Sequence, residues 1–176
     1  YRRELESARS PDQKVALLFS VSKVMQEELK NDEEATEALE QILTIQPGNL
    51  PALRALAEIH QRQGKDEALV DVLKREAESL SDPKDKAETI MRMATILEER
   101  LDRTDQAAEV YQEVLRLGVR VEAAVRALVR IYTAEGLWNA LSRALKSALE
   151  HAQNPSARAA ILLRLAEVAA DRLGNR

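Results

Sequence analysis

The sequence predicts an all-α solenoid of antiparallel helical hairpins, and three observations carry that prediction. The chain repeats itself: "SPDQKVALLFSVSKVMQEEL", "DPKDKAETIMRMATILEERL" and "NPSARAAILLRLAEVAADRL" stand at one ungapped offset of 72 residues, with Pro11, Pro83 and Pro155 in register. A fixed period of this kind is the mark of stacked repeats. The same offset pairs Ala35 with Ala107, Leu43 with Leu115, Leu56 with Leu128, Gly64 with Gly136 and Leu73 with Leu145. Composition agrees, since Ala, Leu, Glu and Arg dominate while Gly and Pro number five each.

The elements follow in order. Residues 1–9 begin with "YRRELESA", which aligns with "KREAESL" at 74–80 and predicts the tail of a preceding helix. Ser10, Asp82 and Asn154 each stand directly before a proline, so a side-chain oxygen caps each long helix and proline fills its first position. Residues 11–46 make a long hairpin and 50–80 a shorter one broken at Gly64. Residues 83–117 repeat the long hairpin. Its first helix carries Ile90, Met93, Ala94, Leu97 and Leu101 at spacings of three and four and is about 28 Å long. After a turn near 102–105 the second helix presents Ala107, Val110, Tyr111, Val114 and Leu115 on one face. Residues 120–152 repeat the short hairpin, broken at Gly136, and 155–173 repeat the first long helix without its partner. One solenoid spanning 1–176 is expected, cut from a longer array that continues in both directions. Its last helix should then leave Leu162, Leu165, Ala166 and Val168 partly uncovered and promote self-association.

Composition also narrows the function. One Phe, one Trp and three Tyr leave little aromatic material for a β-sandwich, and no apolar run approaches the roughly 18 residues of a membrane span. No secretory pattern opens the chain, so a cytoplasmic location is the default expectation. The absence of Cys removes disulfides and thiolate metal sites. Residues 1–88 carry 13 basic and 19 acidic groups and residues 89–176 carry 13 and 11, net charges of −6 and +2. Neither half is the basic patch that a phosphate backbone requires, so nucleic acid is not the expected partner. The acid pairs at 27 and 28, 33 and 34, and 98 and 99 suit surface helices. No Gly-rich phosphate loop, HExxH or EF-hand pattern occurs. No enzyme activity, cofactor or metal is expected. His60 reads as core packing, His151 as a cation near a helix C-terminus, and Trp138 either as a plug between hairpins or as a ligand anchor.

These residues resemble the tetratricopeptide repeat, a 34-residue helix-turn-helix unit with a Trp-x2-Leu-Gly-x2-Tyr pattern on its first helix and Ala-x3-Phe, then Pro, on its second. In "ALRALAEIHQRQG" the first pattern falls on Leu53, Leu56, Ala57 and His60 before Gly64; in "AVRALVRIYTAEG" it falls on Val125, Leu128, Val129 and Tyr132 before Gly136. The second appears as Ala35-x3-Leu39 with Pro47 and as Ala107-x3-Tyr111. The marker alanines Ala35, Ala68, Ala107 and Ala140 are spaced 33, 39 and 33, so the long hairpins carry an extra turn.

The resemblance implies a right-handed α-α superhelix, a scaffold for protein–protein interaction, and a concave groove lined by the first helix of each hairpin. Carried over by position, the groove candidates are Phe19, Lys23, Arg54, Glu58, Met91, Thr95, Arg126, Arg130, Leu163 and Glu167, with Gln26, Gln61, Glu98 and Thr133 between them. Phe19, Met91 and Leu163 fall at one equivalent position and Arg54 and Arg126 at another. These would be apolar and cationic stations for a protein or peptide partner, or else packing residues and locally paired arginines, Arg54 with Glu58 and Arg126 with Glu122. A peptide-responsive regulator and an RNA-binding repeat using Arg54, Arg126 and Arg130 are the alternative functions.

Overall fold

The computed structural model describes residues 10–152 and 154–171, and the helix tail expected at 1–9 lies outside them. The chain divides into two compact units, Tyr1–Leu80 and Ser81–Arg176. The first holds α1 (Pro11–Glu27), α2 (Asp32–Ile45), α3 (Leu50–Gln63) and α4 (Asp66–Ser79). The second holds α5 (Pro83–Glu99), α6 (Thr104–Leu117), α7 (Val121–Ala134), α8 (Trp138–His151) and α9 (Pro155–Asp171). Within each unit every helix packs on the next in sequence, and in the second α6 also reaches α8.

The proline-led starts form as their chemistry dictates. Ser10 Oγ accepts from Gln13 N at 3.2 Å, Asp82 Oδ1 from Lys84 N at 2.7 Å, and Asn154 Oδ1 from Ser156 N at 2.9 Å. The turns after the long helices are copies down to the backbone. Asn31 N donates to Met25 O at 2.8 Å and Arg103 N to Leu97 O at 2.7 Å, while Lys30 and Asp102 both take φ near +50°. Gly64 and Gly136 close the short first helices with φ of +66° and +69°, where a side chain is strained.

The copies part company at the link between hairpins. In the first unit Asn49 caps α3, accepting from Ala52 N at 3.1 Å and donating to Gln46 Oε1 at 2.7 Å. In the second the corresponding link runs through Gly118, at φ +70°, and α7 begins at Val121 without a side-chain cap. The ring of His151, in the last turn of α8, lies so close that a Cβ at Gly118 would stand 2.9 Å from its Nδ1.

Each interior is an aliphatic seam. Leu39, Ile42, Leu53, Leu56, Ile59, Leu69 and Leu73 are fully buried in the first unit; Ile90, Leu115, Leu128, Leu141 and Leu145 are in the second. Alanines at the crossings, Ala35, Ala52, Ala94, Ala107 and Ala124, have no exposed surface, which lets helix axes approach closely. Val168, expected on the open side of the last helix, is buried, because it falls with Ile161 on the flank of α9 that packs on α8.

His60 is buried on this seam, as a packing residue would be, and its Nδ1 has no hydrogen-bond partner among the described residues. Burial pushes its pKa below the ordinary 6.5, Lys65 adds to the shift, and Glu40 opposes it. The unfolded chain therefore binds this proton at higher pH than the folded one. Its contribution to stability is complete above 6.5 and declines as pH falls below that value. The melting temperature should drop as pH falls below about 6.5, and His60→Leu should flatten that slope; an unchanged slope in the variant would move the titration elsewhere. The glycines give a second expectation. Gly64→Ala meets nothing within 4 Å and should cost about 1 kcal/mol through backbone strain alone. Gly118→Ala should cost roughly 1 kcal/mol more, because the His151 ring must also give way. Urea melts that rank the two variants equally would contradict this packing.

Candidate partner-binding surfaces

In the first unit, α1 carries Phe19, half-buried, and Lys23, exposed; α3 carries Arg54 and Glu58, both exposed. Arg54 does not pair with Glu58 one turn away. Its Nε donates to Glu76 Oε1 of α4 at 3.0 Å, and the Glu76 side chain is 8% exposed. A carboxylate withdrawn from water needs a counter-charge far more than one on the surface does, so Glu76 captures the guanidinium. Sequence reasoning missed Glu76. The signal was present, for Leu69, Val72, Leu73 and Ala77 form the apolar stripe of α4 and Glu76 is the one charged member of it. Lys23 and Glu58 make no ion pair among the described residues.

In the second unit, Met91 and Thr95 are half-buried on α5, and Arg126 and Arg130 are exposed on α7. Arg130 grips Glu98 with both terminal nitrogens, Nη2 to Oε2 at 2.9 Å and Nη1 to Oε1. Tyr111 of α6 donates to Glu98 Oε2 at 3.2 Å, and its hydroxyl lies 3.4 Å from Thr95 Oγ1. Three helices are tied through one carboxylate. The hydrogen bonds that Arg130 donates to Glu98 hold its pKa above the usual value, and burial raises that of Tyr111. At the offset positions the first unit has Gln26, Glu58, Leu39 and Lys23, so the network belongs to the second copy alone.

Arg126 stands apart. The offset counterpart of Glu76 is Ala148, fully buried, so the carboxylate that holds Arg54 has no equivalent here. Glu122 does not reach it either, and Arg126 makes no hydrogen bond or ion pair among the described residues. It lines a cleft of about 590 Å³ at the uncapped start of α7, together with Gly118, Arg120, Glu122, His151 and Ile161. On α9, Leu163 is exposed, and Glu167 accepts from Arg164 Nη1 at 2.9 Å. Trp138, at the first position of α8, is half-buried. Among the described residues no cluster of His, Asp or Glu is placed to hold a metal, and no helix is long and apolar enough to cross a membrane.

Residues 52–87, spanning α3, α4 and the start of α5, match the tetratricopeptide repeat family. No curated protein matches the chain. Among solved structures, a crystal structure of MamA protein is 15% identical with a TM-score of 0.50 and covers 90% of this chain and 92% of its own. A second MamA crystal structure is 18% identical, with a TM-score of 0.48 over 86% of this chain and 84% of its own. PilF of Pseudomonas aeruginosa is 17% identical, with a TM-score of 0.45 over 99% of this chain and 76% of its own. Tetratricopeptide scaffolds generally mediate protein–protein interactions. Residues 52–87 thus match a tetratricopeptide repeat, and helices paired hairpin by hairpin, with a fold like that of MamA over most of its length, are consistent with an α-α helical-repeat fold.

Proposed function

We propose that the chain is a non-enzymatic scaffold that binds a partner protein or peptide through the first helices of its hairpins, with α7 as the principal contact. The unpaired guanidinium of Arg126, at the mouth of the cleft beside α7, carries this reading. An exposed cation without a partner can form a charge-assisted bidentate contact with an incoming carboxylate and breaks no existing bond to do so. Met91 and Thr95 on α5 would offer the neighbouring apolar and polar contacts, and Phe19, Lys23 and Glu58 on α1 and α3 the corresponding surface of the first unit. Arg54 and Arg130 are already held by Glu76 and Glu98. That leaves one unpaired arginine of the three invoked for RNA, too little for a phosphate track, and favours an acidic polypeptide.

A peptide-display selection against the chain should enrich sequences with an Asp, Glu or terminal carboxylate beside an apolar residue. Arg126→Glu should weaken binding of the selected peptides at least tenfold, in line with an interfacial charge pair, without shifting the melting temperature. Arg54→Glu should instead destabilise the fold by about 1–3 kcal/mol, since Glu76 would face a like charge. Selection without acidic enrichment, or full affinity in Arg126→Glu, would remove α7 as the contact.

A further inference from the structure

The second helices of successive hairpins meet at a place that the two copies treat in opposite ways. In the first unit Glu40 of α2 faces Arg75 of α4, whose Nη1 donates to both carboxylate oxygens at 3.4 Å. Under the 72-residue offset, Gln112 and Arg116 of α6 replace Glu40 and Thr44, and Arg143 and Ser147 of α8 replace Asp71 and Arg75. Two acids and one base give way to two bases and no acid, so the charge at this position changes from −1 to +2. In the second unit the four residues line a cleft of about 280 Å³ between α6 and α8, above the buried Leu115 and Ala144. No Asp or Glu is among the residues that line it. Arg116 and Arg143 are exposed, and neither guanidinium makes a hydrogen bond or ion pair among the described residues. Gln112 is uncharged, and its Nε2 donates to the Tyr132 hydroxyl. This cleft is not open for want of a neighbouring helix. Both α6 and α8 pack on the helix before and the helix after them in sequence, and on each other. At the matching place in the first unit Glu40, Thr44 and Asp71 are exposed as well.

We propose that the cleft between α6 and α8 docks an acidic segment of a partner polypeptide, whose carboxylates take the place that Glu40 holds in the first unit. The first unit shows the chemistry: where one cation stands between these helices, a carboxylate of the facing helix binds it. Where two cations stand, the facing residue is an amide, and the carboxylates must come from outside. Two guanidiniums on one cleft repel each other until an anion lies between them, and each can hold a carboxylate by two parallel hydrogen bonds. The cleft is too small for a folded element, so the segment lies along it and inserts only its Asp or Glu side chains.

This site lies on second helices and Arg126 on a first helix, and the test keeps the two apart. Hexaglutamate blocked at both ends, titrated into the isotope-labelled chain at low salt, should shift the Nε–Hε resonances of Arg116 and Arg143 saturably. Arg116→Glu with Arg143→Glu should weaken the calorimetric affinity about tenfold or more, whereas Arg126→Glu should leave the shifts at Arg116 and Arg143 as they are in the parent chain. Gln112→Glu supplies a carboxylate from within, as Glu40 does, and should weaken binding about threefold or more while the melting temperature holds or rises. Two unmoved arginine resonances, full affinity in both cleft variants, or tighter binding of inorganic phosphate than of hexaglutamate overturns the proposal.

Discussion

Two antiparallel helices of 14 to 17 residues cannot seal all of their apolar surface against each other. Inner helices such as α2, α3 and α7 pack on the helix before and the helix after, so a hairpin closes one flank internally and the next helix closes the other. The fully buried residues sit where that condition is met, whereas Leu162 and Ala166 of α9 are exposed. The constraint also selects alanine at the crossings, because two stacked layers come within packing distance only where the side chains between them are small.

Duplication copied the aliphatic solution faithfully and the polar solution hardly at all. The turns at Lys30 and Asp102 share their hydrogen bonds, and the glycines at 64 and 136 share a φ within a few degrees of each other. Buried acids are handled differently in each copy. Glu76 binds Arg54 across one hairpin, whereas Glu98 gathers Arg130 and Tyr111 from two other helices, and neither arrangement has a counterpart at the offset position. Apolar packing tolerates drift in detail, but a buried carboxylate without a counter-charge is costly, so each copy satisfies its own. With Ala148 standing where the first unit has Glu76, Arg126 makes no ion pair among the described residues.

The repeat length, the capped starts at Ser10, Asp82 and Asn154, the glycine-broken short hairpins and most of the aliphatic seam were determined by the sequence alone. All of these depend on residue type at short, regular spacing, and such spacing survives without knowledge of the neighbours. The partners of the arginines did not follow from it. The nearest acid in sequence to Arg54 is Glu58, and to Arg126 it is Glu122, yet surface pairs one turn apart gain little in water. A buried acid 22 residues from Arg54 prevails, and Arg126 is left with none. Only the tertiary structure decided which carboxylates are withdrawn from solvent, and with that which cations remain available to a partner. It also decided that Val168 faces α8 while Leu162 and Ala166 stay open, because the rotation of a helix about its axis is set by the neighbour it meets.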